Sequence, residues 1–258
     1  MIILFTSNNI ASNAIAKALI SKHNFKKIGE NEWRNNETRL IDTQLPTVLD
    51  IPDDIGSDSI IMLSSHKSKT PGKMLTAHIP GNWGDAGMGG EPKTLNIADA
   101  CLLQKIAKEM KKEADRIEWQ FCLEADHHGP TIKIPIMFVE IGNNEEQWRD
   151  RKAAEAIANA IVASLGPVEN CESVVGFGGG HYQKRLTEVV VSDNIAVGHM
   201  APKYVIDNID EDMFRQALEK NVEKVTKIVV LKDETNTNQK EKIKKLAEKF
   251  NVEYHEVG

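Results

Sequence analysis

The chain reads as an α/β protein. It is expected to form one domain over residues 1–258, with a mixed, mostly parallel central sheet flanked by helices. Two observations predict this. The apolar run MIILFTS passes without a linker into NNIASNAIAKALISKH, where Ile10, Ala14, Ile15 and Ala18 repeat at helical spacing. A strand followed at once by a helix opens a βαβ unit, and such units build parallel sheets. From there, short apolar runs and amphipathic stretches alternate to the C-terminus. No linker, repeat or low-complexity tract divides them. A chain of 258 residues is long enough to bury a sizeable core.

The elements follow in order. Ser7 is the candidate N-cap of the first helix. Residues 26–58 hold short strands such as TRLIDT, and DSIIMLSSH (58–66) is a strand ending in His66. Residues 64–92 carry six glycines and three prolines without a period, so a long loop is expected. Met74, Leu75, Ile79 and Trp83 give that loop side chains able to pack. TLNIADACLLQKIAKEMKKEA (94–114) is an amphipathic helix whose lysine-rich end suits the helix dipole. RIEWQFCLEAD and IKIPIMFVEIG are strands on either side of HHGP. NEEQWRDRKAAEAIANAIVASLG is one helix, acidic at its start and stopped at Gly166. CESVVGFGGGH runs from a strand into a glycine-rich turn with no clear helix after it, and NIAVGHMAPKY is a further strand. The tail reads helix (210–222), strand (KIVVLK), helix (235–250) and strand (VEYHE).

Composition excludes several classes. Hydrophobic residues make up 41% and charged residues 27%, ordinary for a globular protein. No run approaches the roughly 18 apolar residues of a membrane span. MIILFTSNNI is too short and lacks the basic start of a signal peptide. Cys101, Cys122 and Cys171 are odd in number and far apart. That argues against a disulfide framework or a cysteine-rich zinc site and for a reducing cytoplasm. A net charge of −6 rules out nucleic-acid binding by overall charge, although a local basic patch can still hold phosphate.

Chemistry concentrates at strand ends: His66, the stretch Glu124 to His128, Glu140, His181 and His199. Ligands of open α/β sheets bind at the carboxyl ends of the strands, so these groups are expected to converge on one cleft. In EADHHGP, strand alternation would put Glu124, Asp126 and His128 on one face and His127 on the other. A solvated strand end is the plainer alternative, and the spacing matches neither HExxH nor a zinc finger. GFGGGHY imitates the start of GxGxxG, but His181 stands at the third glycine, which excludes a dinucleotide loop. HKSKTPGK sets Lys67, Lys69 and Lys73 among Ser65, Ser68 and Thr70. It is not a P-loop, and reads as a solvated loop or as a contact for a nucleic-acid backbone. TAHIPGNWG joins His78 to Trp83, which would stack on a base or staple the loop to the core. With no GxSxG elbow and no cysteine beside a histidine, the remaining chemistry is activation of water by histidine and carboxylate, with or without a metal.

SSHKS, LTAHIPGNWG, GGEP, EADHHGP, FVEIGNNEEQW, GFGGGHY and VGHMAPKY together resemble the archaeal and plant type of D-aminoacyl-tRNA deacylase. They cover most of residues 60–205 in order, while the tail after about residue 210 matches loosely. The resemblance implies hydrolysis of the ester between a D-amino acid and the 3′ end of tRNA. It also implies Zn2+ as cofactor and a fold similar to peptidyl-tRNA hydrolases and nucleoside phosphorylases. Asp126 stands where the family usually has threonine, so it is not an obligatory ligand. On this reading His78, His128, Glu140 and His181 are catalytic, and His128, Glu140, His181 and His199 hold the metal. Lys67, Lys69, Lys73, Trp83 and Tyr182 hold the tRNA acceptor end, and backbone N–H groups near Gly178–Gly180 stabilise the oxyanion. The expected partner is D-aminoacyl-tRNA, with no membrane and no obligate protein partner, and the expected state is a cytoplasmic monomer. Two alternatives stand beside it. One is a zinc-dependent amidohydrolase or peptidase on the same scaffold, its lysine loop merely solvated. The other is a non-catalytic RNA-binding module.

Overall fold

The computed structural model describes residues 1–51, 55–69, 72–168, 171–193 and 195–258. The elements of the N-terminal half are β1 (Ile2–Phe5), α1 (Ile10–Lys22), β2 (Lys26–Lys27), β3 (Glu32–Asn35), β4 (Thr38–Asp42), β5 (Ile60–Ser65), β6 (Met74–His78), β7 (Gly81–Asn82), β8 (Thr94–Leu95), α2 (Ala100–Arg116) and β9 (Gln120–Leu123). They are followed by β10 (Ile136–Gly142), α3 (Glu145–Trp148), α4 (Arg151–Ser164), β11 (Glu172–Phe177), α5 (Lys184–Ser192), β12 (Ile195–Ala201), α6 (Lys203–Ile206), α7 (Glu211–Glu219), β13 (Lys227–Leu231), α8 (Thr237–Phe250) and β14 (Glu253–Val257). The chain forms two compact units. Unit 1 holds Met1–Ala77, Lys105–Cys122 and Ile136–Pro167; unit 2 holds His78–Gln104, Leu123–Pro135 and Val168–Gly258.

Unit 1 is built on an eight-stranded sheet, ordered β2-β3-β4-β1-β5-β10-β6-β9. β4, β1, β5 and β10 run parallel, with Ile136 opposite Ile60 and Glu140 opposite Ser64. The sequences of β1, β5 and β10 are near-continuous apolar runs, as expected of strands covered on both faces. The β2–β3–β4 edge is antiparallel and ends in two exposed lysines, Lys26 and Lys27, which blunt it against further pairing. The expected α/β class, mostly parallel and flanked by helices, is therefore the class adopted. α1 packs against α4 and β5. Its N-cap is Asn9 rather than Ser7: the Asn9 side chain accepts from Ser12 N at 2.9 Å. The single helix expected after Asn143 is two, because Asp150 turns outward and caps α4 through Lys152 N and Ala153 N. The stretch 64–92, expected as a loop, contains β6, whose five residues are all buried. Thr70 lies outside the described residues.

Unit 2 carries a four-stranded, wholly parallel sheet, ordered β12-β11-β13-β14. β11 and β12 are neighbours joined through α5, the helix absent from the sequence reading. KRLTEVVVS is rich in β-branched residues and reads as strand, but Leu186, Thr187, Val189 and Val190 share a buried face. The core of this unit stacks Phe177 on Phe214 (5.7 Å between centroids), with Met213, Ile228 and Ile243 around them. A disulfide joins Cys101 to Cys171, contrary to the expectation of reduced cysteines. Cysteine count and spacing do not report which positions folding brings together, and these two α-carbons lie 5.7 Å apart, inside the range a disulfide spans. Cys122 is buried and outside the bridge. Among the described residues, no helix is long and apolar enough to cross a membrane.

Candidate active site

In unit 2, three short segments are laced together by backbone hydrogen bonds. Glu124 forms an antiparallel bridge with Tyr182, with Ala125 N donating to His181 O (2.8 Å) and Gln183 N to Leu123 O (2.8 Å). His127 bridges Pro80, and Gly81 N donates to His127 O at 3.3 Å. Asn96 ties the same turns from below: its amide donates to Pro80 O (2.9 Å) and Pro130 O (2.7 Å) and accepts from Ile132 N (2.8 Å). The GGEP segment crosses the HHGP turn in direct backbone contact. A Cβ on Gly129 would lie 2.3 Å from Gly90 N, and Gly90 itself has φ +77°. Only glycine fits at that crossing.

This lacing gathers four imidazoles and a carboxylate. Ring centroids lie 4.2 Å apart for His78 and His127, 4.4 Å for His127 and His128, 4.9 Å for His78 and His128, and 4.5 Å for His127 and His181. The buried Glu124 carboxylate lies 3.0 Å from His181 Nε2 and 3.5 Å from His127 Nε2. His181 keeps 35% of its side chain exposed, so it is the member of that pair open to a substrate. The pleat expected through EADHHGP breaks at His128, whose φ of +49° is left-handed. As a result His127, placed on the opposite face by simple alternation, shares the cluster with His128. The sequence offered Glu124 or Asp126 to orient an imidazole or hold a metal and assigned His127 no role.

The donor chemistry suits a metal. His127 Nδ1 donates to Ala125 O at 2.8 Å, and His128 Nδ1 donates to Gly129 O. A ring that gives its Nδ1 proton to a carbonyl presents a lone pair at Nε2. Burial, reinforced by the neighbouring His127 and His128 rings, holds His78 well below the ordinary histidine value, so its ring is neutral. Ligand atoms of His78, His127 and His128 all lie within 4.8 Å of one another. Three imidazoles with lone pairs turned to one place are a donor set that zinc accepts.

The other predicted residues have surroundings of their own. His199 is fully buried and both its ring nitrogens are engaged, Nδ1 with Asp126 Oδ2 at 2.7 Å and Nε2 with Lys220 O at 2.8 Å. That geometry leaves it no lone pair for a metal. Asp126 also accepts from Met200 N (2.9 Å), and burial pushes its carboxyl up against the pull of His199. Glu140 lies in unit 1, 3.5 Å from His66 Nδ1 and 3.4 Å from Thr76 Oγ1. Lys67 and Lys69 are exposed in unit 1, while the Lys73 ammonium sits 5.6 Å over the Trp119 ring. Trp83 is only 3% exposed, its ring 6.4 Å from Phe177, so the core takes the face expected for a base. Tyr182 stands against His181, centroids 5.3 Å apart. Of the three glycines offered for an oxyanion, Gly178 already donates its N–H to Ala201 O at 2.9 Å.

Comparison with known proteins places the chain in a family. A model of the family described as D-aminoacyl-tRNA deacylase matches residues 54–255. The D-aminoacyl-tRNA deacylase of Saccharolobus solfataricus is 37% identical over 198 residues, 75% of this chain and 81% of that protein. That of Thermococcus onnurineus is 30% identical over 269 aligned positions, covering 98% of each. A solved crystal structure described as a conserved protein of unknown function matches with a TM-score of 0.89 at 26% identity, over 99% of this chain and 94% of the other. Matched along most of its length by the family and by full-length relatives, the chain belongs to the D-aminoacyl-tRNA deacylase family.

Proposed function

We propose that this chain hydrolyses the ester of D-aminoacyl-tRNA, releasing the D-amino acid and reusable tRNA. The observation that carries the chemistry is the Glu124–His181 pair, 3.0 Å apart and beside three further imidazoles. Donation of the His181 Nε2 proton to Glu124 places the basic lone pair on Nδ1. His181 takes a proton there from the attacking water and returns it to the departing ribose oxygen. Glu124, fixed by its backbone bridge to Tyr182, holds the ring in that tautomer and stabilises the imidazolium. His78, His127 and His128 would hold zinc, which would supply Lewis acidity to the ester carbonyl or the water. Lys67 and Lys69 meet tRNA phosphates, and the site of action is the cytoplasm, where charged tRNA is found.

The test is release of amino acid from D-tyrosyl-tRNA and L-tyrosyl-tRNA, with a chelator and again after zinc is restored. The expected result is turnover of the D ester only, lost to the chelator and regained with zinc. A paired K67E/K69E variant should flatten the salt dependence of KM by about one to two phosphate contacts. Turnover of neither ester, or salt dependence unmoved by the lysine reversal together with activity on an amide, would replace this reading with an amidohydrolase or peptidase.

A further inference from the structure

His127 and His128 also line a hollow of about 300 Å³ in unit 2, shared with Trp83, Asp85, Met88 and Tyr204. We propose that this hollow is the seat of the substrate's aminoacyl group: the amino-acid side chain lies against Tyr204 and Met88, and its α-ammonium pairs with Asp85. The assignment rests on the deacylase reading and adds to it the part of the substrate that each wall recognises.

Three observations separate the aminoacyl group from the terminal adenosine, the other moiety at the ester. The first is size. About 300 Å³ is at the lower end of the range for small-molecule sites, which favours the smaller moiety, the amino acid. The second is polarity. Met88 is 59% and Tyr204 60% exposed, two of the few large apolar side chains left open among the described residues, and both face this hollow. An apolar wall left open to water beside a reactive cluster suits an apolar side chain. The third is charge. Two carboxylates line the hollow, and Asp126 is committed to His199 and to Met200 N. Asp85 is exposed and has no hydrogen-bond or ion-pair partner among the described residues. A carboxylate there attracts an ammonium and repels the phosphate that accompanies a nucleotide. Since the wall continues into His127 and His128, an ester carbonyl following the seated amino acid arrives at the imidazoles.

The test uses the whole chain, wild type and the variants Tyr204→Ala and Asp85→Asn, both at exposed positions where folding is not at stake. kcat/KM is measured for D-tyrosyl-tRNA, D-alanyl-tRNA and N-acetyl-D-tyrosyl-tRNA. For Tyr204→Ala, the ratio of D-tyrosyl to D-alanyl turnover should fall about tenfold or more, the scale of a lost apolar contact in a specificity pocket. For Asp85→Asn, the ratio of free-amine to N-acetylated turnover should fall about tenfold, the scale of one charge-assisted contact. If both ratios stay within about twofold of wild type while absolute rates fall, the hollow holds the part common to all three esters and the assignment is overturned. If wild type cleaves none of the three, the deacylase reading itself fails, and the assignment falls with it.

Discussion

Replacing Glu124 by glutamine keeps the side chain's shape and removes its charge. The carboxylate is fully buried and 3.0 Å from His181 Nε2; in the proposed mechanism it stabilises the imidazolium that forms when His181 takes a proton from water. A hydrogen bond to a charged group is worth about 1.5–3 kcal/mol. Glutamine retains an oxygen that accepts a neutral hydrogen bond, so the difference appears only as positive charge develops in the transition state. At 1.4 kcal/mol per factor of ten, kcat should fall by about 10- to 150-fold, with KM close to wild type. The assay is initial-rate release of amino acid from D-tyrosyl-tRNA over a range of substrate concentrations, with thermal melts showing that the variant is folded. A kcat within about twofold of wild type, or a defect confined to KM, would refute the assignment of Glu124 and His181 to proton transfer.

Two further predictions concern the frame around the site. Asn96 is 1% exposed and its amide pairs three backbone groups, so Asn96→Ala should cost about 3–5 kcal/mol in denaturant unfolding; a loss below about 1 kcal/mol would mean water replaces it. Asp99 caps α2 through Leu102 N at 2.9 Å, and burial, with the nearby Glu223 charge, raises its carboxyl from 3.8 to about 6. Because the folded state holds this proton more tightly than the unfolded chain, the stability it contributes is full below about pH 4 and is lost as pH rises through 6. With partial exposure discounted, Asp99→Asn should gain about 1–2 kcal/mol at pH 8 and flatten the pH 4–7 slope; an equal slope in both proteins would refute the assignment.

Much of the fold was legible because burial dictates apolar runs: the strand sequences IIMLSS, IMFVEIG and KIVVL appear as β5, β10 and β13. What periodicity does not report is which buried runs pair, and the chain's separate four-stranded sheet follows from pairing. α5 was hidden by its β-branched residues, and the Cys101–Cys171 bridge by a spacing of 70 residues. At the site, His78, His128 and His181 were marked by the motifs that carry the family resemblance, TAHIPGNWG, EADHHGP and GFGGGHY. His127 was set on the opposite face because strand alternation was assumed past Leu123, where the ladder ends and His128 turns left-handed; Glu124 was marked as able to orient an imidazole or hold a metal, without an assigned role. Trp83 and His199 were drawn toward function by residue type; burial in one case and saturated ring nitrogens in the other place them in the frame.

The contact of Gly90 with Gly129 has a consequence for how such a chain can vary. Two motifs about forty residues apart touch where neither tolerates a side chain, so each constrains the other. A change in the length or conformation of either turn is paid for at once by the other. The wall formed by Asp85 and Met88 cannot be remodelled independently of the histidines it faces. New substrate preferences should therefore arise at Tyr204, on a separate element, sooner than in the glycine loop.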